Sequence, residues 1–276
     1  MTEPKYNNSL CWKIEKTGDK PSYIFGSVHQ MNLDKIPLPL AKLEGLLSET
    51  KALCIEAELD EAEIDTTSQS LFGGSDKLHD VASLLGEKHY VRLLDILNSS
   101  ATSKDIVPLL DNVSLSLVAL MITVVQQQSS EFFSLDNVFE IEKHFTQLAK
   151  EQKYPIFTLE TVAEQTEWLT AIPEAVTDDD VATLKKIIDA YDDPTTPDMY
   201  ARYASEDLRL LRDEDMTAPM MVKRNEAMVN RLAALLCKQS LLVIIGAAHL
   251  AGETGVLEGI EKHGYMVTPY SWNNVV

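Results

Sequence analysis

Basic residues are scarce in this chain. Lys and Arg number 24 against 43 Asp and Glu, a formal net charge of −19 at pH 7. So acidic a surface argues against nucleic acid and anionic membrane as partners, because phosphate binding needs clustered positive charge. It favours solubility and attracts divalent cations. Cysteine is also scarce. Cys11, Cys54 and Cys237 are odd in number and form no C-x-x-C pair, which speaks against a disulfide framework or a cysteine zinc site. Cys54 and Cys237 lie in apolar surroundings and read as inert core residues. No apolar run reaches transmembrane length, so no membrane span is expected. Residues 1–8 are polar and lack the apolar region of a signal peptide. The expected location is cytoplasmic, or periplasmic or secreted if an export signal has been removed. There is no short-period repeat and no low-complexity linker. Gly252 and Gly255 fit neither G-x-G-x-x-G nor a Walker pattern, and the Asp178–Asp180 run lacks EF-hand spacing.

What is present is an ordinary globular composition, 45% hydrophobic and 24% charged over 276 residues. Strand-like runs at 11–15 and 22–27 flank Thr17-Gly18-Asp19-Lys20, a hairpin signal. Further strands are expected at 52–55, 156–159, 241–245 and 265–267. Helical patterns cover 40–48, two pieces of 76–97 broken near Gly86, 114–127, 138–150, 216–236 and 253–262. Residues 178–193 and 197–212 read as acidic, exposed helices. Thr161-x-x-Glu164 has the form of a capping box. The outer thirds supply strands and the middle supplies helices. The expected fold is α/β: a central mixed, mostly parallel sheet flanked by helices, in one domain over 1–276 with a large helical insertion at roughly 59–150.

The polar residues that close these strands carry the chemistry. Tyr23-Ile24-Phe25 runs into Gly26-Ser27-Val28-His29, and Leu241 to Ile245 runs into Gly246-Ala247-Ala248-His249. A lone histidine at a strand end is more often a hydrogen-bonded structural residue. Two strands that both end in G-x-x-H reverse that expectation. Glu56 and Glu58 follow a third strand and Glu160 a fourth. In α/β proteins the C-terminal rim of the sheet collects ligands and catalytic groups. Two imidazoles and a carboxylate with an open position suit zinc, and N/O donors also suit manganese or cobalt. Glu56 and Glu58 are two apart, so alternation does not choose between them. Glu160 also reads as a first-turn residue of the following helix, favoured by the dipole. His79, His89, His144 and His263 lie on polar helix faces and read as surface residues.

These residues resemble the TraB/GumN family, whose animal relatives include the Tiki proteases. The similarity runs over nearly the whole length. It rests on Leu10-Cys11-Trp12-Lys13-Ile14-Glu15, the first G-x-x-H, Ile55-Glu56-Ala57-Glu58, Thr158-Leu159-Glu160-Thr161 with Glu164-Gln165, Arg224-Asn225, and 246–252 with Gly255-Val256-Leu257 and His263-Gly264-Tyr265. Glu58 stands where an aspartate is common, and Ser134 precedes Asp136 where relatives often have Gly-x-Asp. The resemblance implies an α/β fold of the erythromycin esterase/ChaN-like type. It also implies a metal-dependent peptidase with manganese or cobalt, in which both histidines and the glutamate are essential.

The expected activity is therefore metal-dependent hydrolysis of a peptide or protein substrate. His29, Glu56 and His249 would hold the metal, Mn²⁺ or Co²⁺ in preference to Zn²⁺. Glu160 would be a further ligand or the general base, with Glu58 in reserve. Arg224 would stabilise an oxyanion, and Asn225 and Gln165 would orient substrate or a ligand. The alternatives are a non-catalytic protein that binds metal, haem or a small ligand, and a metal-independent esterase.

Overall fold

A computed structural model describes residues 6, 9–58, 79–100, 103–130, 138–170, 176–191, 193, 199–211 and 219–272. Asp136 and its Ser134 neighbour, and the start of the expected insertion at 59–78, lie outside the described residues. By packing, the chain divides into two units. One comprises Met1–Glu58, Ser134–Glu160 and Met199–Val276, the other Leu59–Phe133 and Thr161–Asp198.

The first unit is built on a six-stranded sheet in the order β6-β4-β7-β2-β1-β8. The strands are β1 (Cys11–Glu15), β2 (Ser22–Ser27), β4 (Leu53–Ile55), β6 (Ile156–Thr158), β7 (Leu242–Gly246) and β8 (Met266–Pro269). β1 pairs antiparallel with β2 and with β8. The pairs β2–β7, β7–β4 and β4–β6 are parallel, so the sheet is mixed and mostly parallel, as its sequence pattern implies. Every residue of β7 is buried, which a central strand flanked by parallel partners requires. A separate two-stranded ladder joins β3 (Gln30–Met31) to β5 (Phe139–Glu140).

Helices α1 (Leu40–Thr50), α4 (Ile141–Gln152), α7 (Met199–Ala204), α8 (Pro219–Leu236) and α9 (Val256–Lys262) complete this unit. Three expectations from the sequence differ from the structure. The pattern from 138 is strand before it is helix, because Phe139 and Glu140 pair with β3. The described part of 197–212 is not an exposed helix: Tyr200 and Tyr203 of α7 are 1% and 0% exposed. Cys237, expected in the core, is exposed just past the end of α8, whereas Cys11 and Cys54 are buried.

The second unit is helical. It holds α2 (Val81–Asn98), a 3-10 helix (Lys104–Asn112), α3 (Leu115–Gln128), α5 (Val162–Thr170) and α6 (Asp178–Ala190). α2 is broken at Gly86, whose φ of 74° suits glycine. Leu85, Leu97, Val118, Ile122, Val125 and Leu184 lie in one apolar core. The Thr161/Glu164 capping box forms in both directions, with Thr161 N to Glu164 Oε2 at 2.8 Å and Glu164 N to Thr161 Oγ1 at 3.2 Å. His79 departs from its surface reading, since its Nε2 is buried and has no hydrogen-bond partner among the described residues. Among the described residues, no helix is long and apolar enough to cross a membrane.

Candidate functional site

Sheet register brings the candidate residues to one rim. Ser27 pairs with Gly246, Ile55 with Ile244, and Thr158 with Ile55. The four parallel strands thus end at nearly one level. The residues just beyond those ends are His29, Glu56, Glu160 and the turn that carries His249. That turn is a 3-10 segment, Ala247–His249. It folds tightly over β2: a Cβ on Gly26 would lie 2.8 Å from Leu250 Cδ1 and 3.0 Å from Ala247 Cα, so only glycine fits there.

Glu56 is the hub. It is 5% exposed. Its Oε1 accepts the Gly246 N–H at 2.6 Å, and its Oε2 accepts from Arg224 at 3.2 Å. His249 Nε2 stands 3.8 Å from Glu56 Oε1. A Cβ placed on Gly246 would lie 3.0 Å from Glu56 Oε1, 3.3 Å from His29 Nε2 and 3.4 Å from His249 Cδ2. Two donor atoms and the edge of a second imidazole, from three strand ends, therefore border the space above one glycine.

Arg224 joins the two buried carboxylates. Its Nε and one terminal nitrogen both reach Glu160, at 2.8 and 2.8 Å, and that terminal nitrogen also reaches Glu56. The fork geometry is one that lysine cannot supply. Glu160 is 2% exposed, and its own N–H donates to Glu56 O at 2.7 Å. Asn225, the next residue on α8, bridges differently. Its Nδ2 donates to Thr254 O at 3.0 Å, which leaves Oδ1 to accept from His249 Nδ1 at 2.6 Å. The neutral His249 ring thus carries its hydrogen on Nδ1 and its lone pair on Nε2, facing Glu56.

Electrostatics separate the two rings. Burial is the largest influence on His249 and lowers its pKa to about 4, with Glu56 opposing and the Arg224 and His29 charges adding to the fall. For His29, lost hydration lowers the pKa. The Glu142 hydrogen bond and the Glu56 and Glu142 carboxylates outweigh it, so the pKa rises to about 9. Burial works against the charge of Glu56. The His249, His29 and Arg224 cations and the Gly246 N–H overcome it and hold Glu56 below the usual carboxylate range. Since His249 stays neutral down to about pH 4, His29 and Arg224 supply that charge at neutral pH.

The structure thus brings His29, Glu56, Glu160, Arg224, Asn225 and His249 together. Glu58 is not among them: it turns to Lys150 Nζ at 2.5 Å on a half-exposed edge. Gln165 belongs to the second unit, so the first unit's cluster is built without it. Sequence patterning missed Glu142, which accepts from His29 Nδ1 at 2.9 Å and from Ser27 Oγ at 2.5 Å. It also missed Tyr203 and Tyr200, whose hydroxyls donate to Gly26 O at 2.7 Å and Gln30 O at 3.0 Å, on either side of His29.

Among the described residues, no group of three or more His, Cys, Asp or Glu stands ready to hold a metal. The residue types nonetheless fit one in kind: two imidazoles and a carboxylate are a divalent-metal set, and Glu56 Oε1, His29 Nε2 and the Cδ2 edge of the His249 ring border one space. Glu56 meanwhile accepts the Gly246 N–H at Oε1 and the Arg224 guanidinium at Oε2.

A family model described as the TraB/PrgY/gumN family matches residues 10–269. No curated protein and no solved structure matches the chain.

Proposed function

The chain belongs to the TraB/PrgY/gumN family, and we propose that it is a metal-dependent hydrolase, most specifically a metallopeptidase of the Tiki type. The observation that carries this reading is the convergence of Glu56 Oε1, His29 Nε2 and the His249 ring above Gly246. His29, Glu56 and His249 would hold a divalent metal, Mn²⁺ or Co²⁺ in preference to Zn²⁺. Such an ion supplies Lewis acidity, polarising a scissile carbonyl and lowering the pKa of water.

The chain's own residues do the rest. Asn225 fixes the His249 ring so that Nε2 faces the centre. Arg224 ties Glu56 and Glu160 together through one guanidinium. Its fixed charge and five donors suit it to stabilise a developing oxyanion as well. Glu160, whose carboxylate Arg224 holds, would be a further ligand or the general base. A peptide or protein is the substrate this reading favours.

The test is cleavage of a peptide library by metal-loaded protein. Cleavage should require the metal, stop on chelation, and vanish in His29→Ala and His249→Ala. An active His249→Ala protein would sink the reading. One observation favours a second reading, a metal-independent hydrolase: neutral His249, oriented by an amide, has the form of a general base beside a carboxylate. Hydrolysis that resists chelation but is lost in His249→Ala would select it.

A further inference from the structure

Both G-x-x-H histidines are held through Nδ1, but by unlike acceptors. His249 Nδ1 meets the Asn225 amide oxygen. His29 Nδ1 meets a carboxylate, Glu142 Oε1, at 2.9 Å. Glu142 stands in the first turn of α4. The same Oε1 accepts the Ser27 hydroxyl at 2.5 Å. Ser27 is 1% exposed and lies beside Gly246 in the sheet register. The carboxylate is thereby anchored to the floor of the cluster and to the ring it orients.

An ionised carboxylate can only accept, so the ring nitrogen that faces it must carry hydrogen. The neutral His29 ring then has its lone pair on Nε2, the atom 3.3 Å from the space above Gly246. We propose that Glu142, anchored by Ser27, is a positioning residue that locks His29 in the Nδ1–H tautomer and aims Nε2 at the metal centre. The inference rests on the metallohydrolase reading for what Nε2 would bind, but the tautomer exists without metal. A ring N–H given to a carboxylate fixes ring orientation and makes the opposite nitrogen a stronger donor. Asn225 orients His249 without adding charge. The two sides of the centre therefore differ in donor strength.

Long-range ¹H–¹⁵N correlation spectra of metal-free protein read the tautomer directly. They are recorded above about pH 9, where the His29 ring is neutral, and His29→Ala assigns the ring. The wild-type ring should carry its hydrogen on Nδ1. Glu142→Ala should lose that preference and bind Mn²⁺ about 10- to 100-fold more weakly by titration. Glu142→Gln keeps an acceptor oxygen. It should retain the tautomer and recover part of the affinity, a rescue that a merely structural loss would not show. Ser27→Ala should shift both readouts the same way, but less. A wild-type ring protonated on Nε2, or a folded Glu142→Ala protein with an unchanged tautomer, overturns the proposal. Should Glu142→Ala fail to fold, the wild-type and Glu142→Gln spectra decide it. Absence of metal binding in the wild type would defeat the metallohydrolase reading and leave the tautomer result standing.

Discussion

β2 and β7 run side by side and end in the same four-residue pattern, yet they deliver two different histidines. His249 sits in a 3-10 turn, 5% exposed, and an amide orients it. His29 sits at φ 60°, in a tight turn closed by Gln30 N to Val28 O at 2.6 Å, with its side chain 56% exposed. A carboxylate orients it. Burial leaves His249 neutral, while carboxylates keep His29 protonated. The difference teaches that a sequence pattern can specify where an imidazole goes without specifying its charge. Charge is set by what the rest of the fold brings to Nδ1 and by how much water remains.

The largest stability effect that sharpens this contrast lies in pH. In metal-free protein, His249 has a folded pKa of about 4 against an unfolded value near 6.5. The unfolded chain takes up a proton first, so stability should fall as pH drops from about 6.5 to 4. The loss is on the order of 3 kcal/mol, and His249→Gln should flatten that limb. For His29 the sign reverses. Its raised pKa stabilises the fold below about 6.5, and that contribution should be lost as pH rises through about 9. Its ring is half exposed, so the alkaline limb should be the shallower one. Urea midpoints across pH would check both limbs. An acid limb in His249→Gln identical to that of the wild type would erase the distinction.

A smaller effect tests the backbone difference. An L-residue in the left-handed region is strained by on the order of 1–2 kcal/mol, and glycine is not. His29→Gly should therefore melt higher than His29→Ala, by about 1 kcal/mol in stability. At His249, whose φ is not positive, the order should reverse. Paired thermal melts of the four variants measure it. Ala above Gly at both positions would mean that the His29 turn stores no strain.

The contrast also marks how far the sequence could be read. The two apolar runs ending in G-x-x-H, the α2 break at Gly86 and the Thr161/Glu164 cap were legible because each is a local pattern with a local cause. Glu56 and Glu58 were not separable by alternation, since they are two apart, and β4 has already ended at Ile55. Glu58 turns to Lys150 instead. Glu142 was invisible for a different reason. It lies 113 residues from His29, on an ordinary charged helix start, and only the packing of α4 beside the β2 rim gives it a partner. Tyr200 and Tyr203 were read with an acidic, exposed stretch. Their hydroxyls find backbone carbonyls on either side of His29, which makes their burial affordable.

The proposed metal centre joins two unlike histidines to Glu56. The most direct test is a thermal melt of chelator-stripped protein titrated with manganese, cobalt, zinc and calcium, with the His29→Ala/His249→Ala double variant alongside. Metal at about 100-fold above Kd adds roughly 2.7 kcal/mol, on the order of 5–10 °C for a chain of this size. That shift is expected with manganese or cobalt and should be lost in the double variant. No shift with any metal, or a shift that survives in the double variant, would contradict the proposed centre.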